Sequence, residues 1–384
     1  MRIGIDATNI GGGGGITNLK EILNNLNSIS ISNEIKKIIV FSSENVLDQI
    51  PDSELIDKIT FSALNKSLLA RAIFQAFFYD REIKRRCDIL FSITGDYIGR
   101  FRPVVGMSQN MLLYERDIWK EIKQFKEIFR FWIIYHKQKR SFRNSKGIIF
   151  ISNYARNYIS KQFNLRVKRN VVIHHGTSPR FMEEPKNQKP ISEYSFTNPF
   201  KFIYISTVHI YKNQWNVVEA IGKLREKGYP VELNLVGGII FEPAGKMLEK
   251  TIREIDPQNR FIFYHGHVPY EEIDKFYKLS DGVIFASTCE NMPIILIESM
   301  ASGIPIASSN KPPMPEFLKE NGFYFDAHSI DSIVTTLIEF LDSPQKREIN
   351  AINALIEASK YSWKDTSKEI FEFLISIHQD YKLA

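Results

Sequence analysis

The stretch GVIFASTCENMPIILIESMASGIPIA, residues 282–307, decides the fold. Residues 282–285 are a short apolar run with strand character, a polar loop carrying Glu290 follows, then a helical stretch, and 304–307 are a second apolar run. Strand, loop, helix and strand in that order make the unit of a parallel sheet covered by helices. The first strand ends near Ala286, which puts Glu290 in the loop at its carboxyl end and Glu298 about one turn into the helix. Pro293 suits a first helical turn because it needs no donor there. Between the two acids the amides of a helix N-terminus form a ready anion site. A carboxylate at such a place can accept hydrogen bonds from two vicinal hydroxyls, as Rossmann domains do for ribose, so the pair points to a nucleotide sugar. Taken alone, the same acids read equally well as a solvated loop acid and a helix acid favoured by the dipole.

Outward from this unit the rhythm repeats. Apolar runs at 202–206, 231–236 and 261–264 precede it, and the first half shows others at 2–5, 37–41, 89–91, 104–107, 147–151 and 171–174, with helical patterns between them. The pattern predicts two α/β, Rossmann-like domains with parallel sheets, and 384 residues are too many for one comfortable core. Residues 183–200 carry Pro185, Pro190 and Pro199 without periodicity and read as the linker, giving an N-terminal domain over 1–183 and a C-terminal one over 184–362. A last helix, 363–384, is expected to pack on the first. In open parallel sheets ligands sit at the carboxyl ends of the strands, so two such sheets facing one another would enclose a cleft.

Composition narrows the classes. Only Cys87 and Cys289 are present, too few for a disulfide framework and not at ligand spacing. Asp6 interrupts the N-terminal apolar run after four residues, so it cannot be a secretory core, and no run approaches the roughly 18 residues of a membrane span. A cytoplasmic chain is expected. The net charge is +6, and nine Lys or Arg against two Glu fall within residues 120–146. There Ile118, Ile122, Phe125, Phe129 and Trp132 follow helical spacing, predicting a helix packed on the core by that stripe and touching anionic lipid by its cations. No nucleic-acid motif accompanies it.

Three more segments bear on chemistry. ISTVHIYKNQ, residues 205–214, follows a strand and enters a helix, carrying Thr207, His209 and Lys212. The glycine run 11–15 follows strand one; glycines allow close backbone approach to a ligand, but no Gly-Lys-Ser/Thr ends the run, so it is no P-loop. Gln109 and Asn110 close the strand 104–107 and can hydrogen-bond without acting as bases near neutrality. The His174/His175 and His265/His267 pairs lack a carboxylate or Cys at ligand spacing, so no metal site is expected. No Asp-x-Asp occurs.

Glu-x7-Glu followed by SMASGIPI resembles the hallmark of the family 4 retaining glycosyltransferases of GT-B architecture, over nearly the whole chain. The resemblance implies that Glu298 binds the donor ribose and that Glu290, with the backbone of Asn291, Met292, Pro293 and Ile294, meets the donor sugar. It implies Lys212 on the donor diphosphate, Gly14 and Gly15 near phosphates and acceptor, backbone near Val268 at the nucleobase, and Gln109 and Asn110 at the sugar. Two departures stand out. The usual Glu-Gly-Phe-Gly is Glu290-Asn291-Met292-Pro293, and Pro293 cannot donate an amide. Thr207 stands at the usual Arg, so two cations become one, and His209, the helix N-terminus or a basic residue of the other domain would supply the rest. Gln109-Asn110 before Met-Leu resembles surface-polysaccharide and O-antigen transferases.

The expectation is therefore a metal-independent, cofactor-free, retaining glycosyltransferase. It would take a nucleotide sugar and a saccharide or lipid-linked acceptor, act at the inner membrane face, and bind no nucleic acid. An epimerase would need an acid/base pair and a phosphorylase a pyridoxal lysine, and neither is evident. A non-catalytic basic module binding membrane or nucleic acid is the reading from another class.

Overall fold

In the computed structural model, residues 1–11, 13–26, 34–66, 68–122, 124–165 and 169–383 are described. They divide into two compact units, one of residues 1–114, 124–176 and 361–384, the other of 115–123 and 177–360.

The first unit holds seven strands: β1 (Arg2–Asp6), β2 (Lys37–Phe41), β3 (Ile56–Ile59), β4 (Ile89–Ser92), β5 (Val104–Ser108), β6 (Gly147–Phe150) and β7 (Arg169–Val172). They form one parallel sheet in the order β3-β2-β1-β4-β5-β6-β7. The second unit holds β8 (Phe200–Ile205), β9 (Val231–Val236), β10 (Ile262–Tyr264), β11 (Gly282–Phe285), β12 (Ile306–Ser309) and β13 (Phe323–Phe325), again all parallel, in the order β10-β9-β8-β11-β12-β13. Central strands such as β4, β6 and β11 are buried at every residue, as a sheet covered by helices on both faces requires. That is why each reads as an unbroken apolar run.

Both sheets change direction once, between β1 and β4 in the first and between β8 and β11 in the second. Each such switch point opens a crevice at the strands' carboxyl ends, where this architecture binds ligands. Two strands were not legible in the sequence: β3 reads Ile-Asp-Lys-Ile at a sheet edge, and β13 is only three residues long.

Residues 183–200 are not a free tether. Glu183 N–H donates to the Ala301 carbonyl at 3.0 Å and Lys186 N–H to that of Gly303 at 3.2 Å. Arg347, wholly buried, gives Nε to Gln188 Oε1 at 3.0 Å, Nη2 to the Lys189 carbonyl, and Nη1 to the Phe340 and Leu341 carbonyls. The prolines deny this stretch periodicity, yet a buried guanidinium fixes it to the second unit, which begins at Thr177 rather than at 184. The helix Trp363–Leu383 lies in the first unit, where Ser367 Oγ donates to the Ile22 carbonyl at 2.8 Å.

The basic segment is two helices rather than one. Arg116–Glu121 belongs to the second unit and buries Ile118 and Trp119, while Phe125–Asn144 belongs to the first. The longer helix packs inward through Phe131, Tyr135, Gln138, Ser141 and Phe142, whereas Phe125, Phe129 and Trp132 are exposed. Of the expected core stripe, Ile118 and Ile122 are buried, whereas Phe125, Phe129 and Trp132 face outward. An apolar repeat on both faces lets the sequence favour either, and the buried face is the one its connection to β6 presents to the sheet.

Candidate functional site

In the second unit, the switch point brings together the loop after β8 and the loop after β11. Lys212 lies in a short turn, Ile210–Lys212, that leads into the helix Gln214–Glu226, and Glu290 follows β11. Lys212 Nζ stands 2.5 Å from Glu290 Oε1, and the two side chains are only 7% and 17% exposed. Ser287 Oγ donates to the same carboxylate oxygen at 2.6 Å. The two loops are tied by backbone and side chain as well. Thr288 N–H donates to the Tyr211 carbonyl at 2.8 Å, Asn213 Nδ2 to that of Ala286 at 3.0 Å, and Tyr204 Oη to that of Lys212 at 2.6 Å. Each loop therefore holds the other's charged group in place. Asn213 adopts φ +53, a conformation asparagine tolerates better than most residues, and this turns the chain from Lys212 into the helix.

Glu298 sits on the helix Ile294–Ala301 and is buried. Tyr270 Oη donates to its Oε1 at 2.7 Å, and Arg180 stacks on the Tyr270 ring 3.8 Å from the centroid. Burial pushes the Glu298 carboxyl up to about 7, while the Tyr270 hydrogen bond and the Arg180 charge pull the other way. Glu290 and Glu298 thus occupy different surroundings, one paired with a cation and one with a phenol. Pro293 is the residue capping this helix rather than its first member, and the Ile294 amide donates to the Met292 carbonyl at 3.0 Å. That amide is engaged within the turn, and the dipole of the helix acts at the same end. Asn291 and Met292 are buried beside it.

Thr207 is exposed, and its carbonyl accepts from Gln214 Nε2 at 3.1 Å. His209 does not supply the second positive charge. Its Nδ1 accepts from the Ile210 amide at 2.9 Å, its ring stacks on Phe241, and burial followed by the nearby Lys212 lowers its pKa to about 4. A neutral imidazole with Nδ1 accepting carries its proton on Nε2, so His209 is a donor and not a cation. Val268 follows β10, beyond the Gly266 carbonyl that accepts from the Gly237 amide at 2.7 Å. A Cβ on Gly237 would lie 2.0 Å from the Ser206 carbonyl, so glycine there is required for the β8 and β9 ends to approach.

In the first unit the corresponding switch point carries the glycine run. Gly14 and Gly15 open the helix Gly14–Asn24, Gly13 caps it at φ +59, and nothing lies within 4 Å of a Cβ built on Gly13 or Gly14. Gln109 Nε2 donates to the Ile93 carbonyl at 2.9 Å and Asn110 Oδ1 accepts from the Leu112 amide at 2.9 Å. Both amides thus shape the strand-end loop. A buried network unannounced by any motif lies beside it. Asp6 accepts from Thr8 Oγ1 at 2.7 Å and Tyr79 Oη at 3.0 Å, and Asp96 accepts from Asn9 Nδ2 at 2.8 Å and Lys137 Nζ at 3.3 Å. Burial, then the Asp96 charge, raise Asp6 to about 6. Sequence reasoning missed this network, and also Tyr270 and Arg180, whose partners lie far off in sequence, and Ser287, which sits only three residues from Glu290 but carries no motif of its own. The one available signal was the Asp at the end of β1, which ended the apolar run. Among the described residues no group of three or more His, Cys, Asp or Glu converges as metal ligands do.

Residues 186–356 match the family model described as glycosyl transferases group 1. The chain is similar to O-antigen chain mannosyltransferase B of Escherichia coli, 24% identical over 234 residues, 60% of this chain and 60% of the relative. It is also similar to a GDP-mannose-dependent alpha-(1-6)-phosphatidylinositol monomannoside mannosyltransferase of Mycobacterium tuberculosis, 22% identical over 240 residues, 59% of this chain and 61% of the relative. These matches span about 60% of the relatives' length. Among solved structures, Anabaena HepE in complex with UDP-glucose matches with TM-score 0.70 at 19% identity, over 98% of this chain and 100% of that one. Sucrose-phosphate synthase of Thermosynechococcus elongatus matches with TM-score 0.76 at 14% identity, covering both chains completely. The fold of the two parallel-sheet units is that of the GT-B glycosyltransferases.

Proposed function

We propose, on the premise that residues 186–356 form a glycosyl transferases group 1 domain, that this protein transfers a sugar with retention from a nucleotide donor to a saccharide or lipid-linked saccharide, in building a surface glycan at the cytoplasmic membrane face. The Lys212–Glu290 pair across the β8/β11 switch point is the observation that carries this reading. It supplies one cation and one anion, held by two loops, where a donor's diphosphate and sugar would lie. Glu298, eight residues on and buried, has the acceptor oxygens that ribose hydroxyls need. The solved complexes of HepE with UDP and with UDP-glucose favour a nucleoside diphosphate sugar as donor, and the mannosyltransferase relatives favour a hexose.

In this reading the bond from the anomeric carbon to the distal phosphate oxygen breaks, and the acceptor oxygen bonds to that carbon on the same face. The acceptor's proton passes to the departing phosphate oxygen. Lys212 and the helix dipole stabilise the diphosphate's growing negative charge, and Glu290 the positive charge on the sugar. The glycine run and Gln109-Asn110 serve the acceptor side, and Val268 the base. No metal or cofactor is assigned a step.

A thermal-shift panel of UDP-glucose, GDP-mannose and related donors, followed by product analysis, tests the proposal. A stabilising donor that is turned over to an α-linked product supports it. Stabilisation by none of them, or an inverted product, overturns it.

A further inference from the structure

The first unit carries an apolar face with no partner. Phe125, Phe129 and Trp132, 80%, 51% and 50% exposed, stack in a ladder along the helix Phe125–Asn144, with centroids 6.2 and 6.1 Å apart and planes within 12°. Their spacing of four and three residues makes one outer stripe, opposite the stripe that fills the core. The helix Leu68–Phe77 exposes Leu69, Ile73 and Phe77, the last at 76%. Single exposed apolar side chains are ordinary, but contiguous ones on neighbouring helices mark a surface that something covers.

Between these two helices lies a groove of about 760 Å³, with Phe77, Trp132 and Ile133 on its walls and Arg100, His136 and Arg140 at its polar side. Its charges do not cancel. Asp80, the one acid in the lining, is occupied by the Tyr97 hydroxyl and by the Arg100 amide at 2.6 Å. Lys137 is spent on Asp96. Among the described residues neither the Arg100 nor the Arg140 guanidinium enters an ion pair. Two unpaired guanidiniums beside an aromatic and aliphatic wall match one ligand chemistry, a phosphate joined to a hydrocarbon chain. Arginine's fork suits phosphate oxygens, and Trp and Phe settle at the boundary of headgroup and acyl chain. Stacked bases of a nucleic acid would use the rings but not Leu69 and Ile73.

We propose that this face docks on an anionic bilayer and that the groove admits the phosphate of one lipid, met by Arg100 and Arg140. That this lipid is the acceptor rests on the glycosyl-transfer reading; the docking does not.

The test is co-sedimentation of the full chain with phosphatidylcholine vesicles, with and without phosphatidylglycerol. Binding is expected only to the anionic vesicles, weakening with salt as screening shortens the field. Arg100→Gln and Arg140→Gln should each weaken it about fivefold, since a cation near an anionic surface contributes about 1 kcal/mol. Phe125→Ser with Phe129→Ser should abolish it. All four side chains are exposed, and an unchanged circular dichroism spectrum and nucleotide-sugar thermal shift will establish that the variants fold. Vesicle binding that is absent in the parent or indifferent to the arginines overturns the proposal. So does tighter binding to single-stranded RNA, or self-association in sedimentation velocity that the Phe pair abolishes. Inorganic phosphate that stabilises the parent but not the arginine variants, without vesicle binding, would make the groove a soluble-anion site and also overturn it. Failure here with a retained donor shift leaves the transferase reading standing.

Discussion

Lys212 and Glu290, seventy-eight positions apart, share one hydrogen-bonded contact of 2.5 Å at the carboxyl ends of β8 and β11. Neither charge is bound to solvent first and ligand second; each is the other's counter-ion within the second unit. On the proposed roles an incoming donor meets an ion pair that is already formed, and Ser287 adds a donor to the carboxylate at 2.6 Å. Such pre-positioning costs little reorganisation when charge develops on a substrate.

Because the pair is nearly buried, removing one member strands the other. Lys212→Met should lower unfolding free energy by roughly 3 to 5 kcal/mol. The double change Lys212→Met/Glu290→Gln should recover part of that loss. Urea titration of the parent, both single variants and the double variant closes the cycle, and an additive double variant would mean that the contact is not made in solution.

Glu290→Gln keeps an acceptor for Lys212 and Ser287 but removes the negative charge. On the proposed roles its single-turnover rate should fall on the order of 100-fold, while calorimetric affinity for the nucleoside diphosphate stays near the parent's. Normal turnover would remove Glu290 from the chemistry.

The fold was largely legible because parallel strands buried on both faces leave unbroken apolar runs. The runs at Lys37–Phe41 and Gly282–Phe285 end where the sequence places them, and Val231–Val236 does so by alternation, with Glu232 and Asn234 half-buried. The two acids stood out through one spaced motif and Lys212 through the separate stretch 205–214. What escaped was pairing. Nothing local in Lys212 names Glu290, and nothing in Glu298 names Tyr270, which lies twenty-eight residues earlier. The 183–200 stretch misled for the same reason, since its anchor, Arg347, lies more than 150 residues on. The helix Phe125–Asn144 misled differently, because two apolar stripes compete and only the sheet beneath decides between them.

Arg347→Met should be severely destabilising. It leaves the Phe340, Leu341 and Lys189 carbonyls without their donor inside the second unit, at a cost of roughly 1 to 3 kcal/mol for each group left unsatisfied. Thermal unfolding should show the loss, and proteolysis should cut first near residues 183–200. A variant with the parent's midpoint would mean that this stretch is held by other contacts.

Charge on the leaving diphosphate is assigned to Lys212 and the helix dipole, so transfer should persist in EDTA. Complete loss restored by Mn²⁺ or Mg²⁺ would show that a divalent ion does this work instead.

The last prediction turns on Glu298. Burial holds its carboxyl up at about 7 against an ordinary value of 4.5, so the folded protein retains a proton that the unfolded chain has lost between those limits. Stability contributed by the protonated form is complete below pH 4.5 and is lost as pH rises through 7. Glu298→Gln should therefore flatten the decline over that window, even though Asp6, raised to about 6, contributes to it in both proteins. On the role proposed for Glu298, ribose recognition runs in the opposite direction. Two vicinal hydroxyls are best met by the ionised carboxylate, so affinity for uridine or guanosine, which carry no phosphate, should rise between pH 6 and 8. Glu298→Ala should cost roughly 10- to 150-fold, the worth of a charge-assisted hydrogen bond, and remove the pH dependence. Tyr270→Phe takes away a donor that favours the ionised form, so its affinity profile should move to higher pH. Ligand-observed NMR titrations of the parent and these two variants decide the matter. A parent affinity flat between pH 6 and 8, or a Glu298→Ala variant binding nucleoside as the parent does, would place the ribose elsewhere.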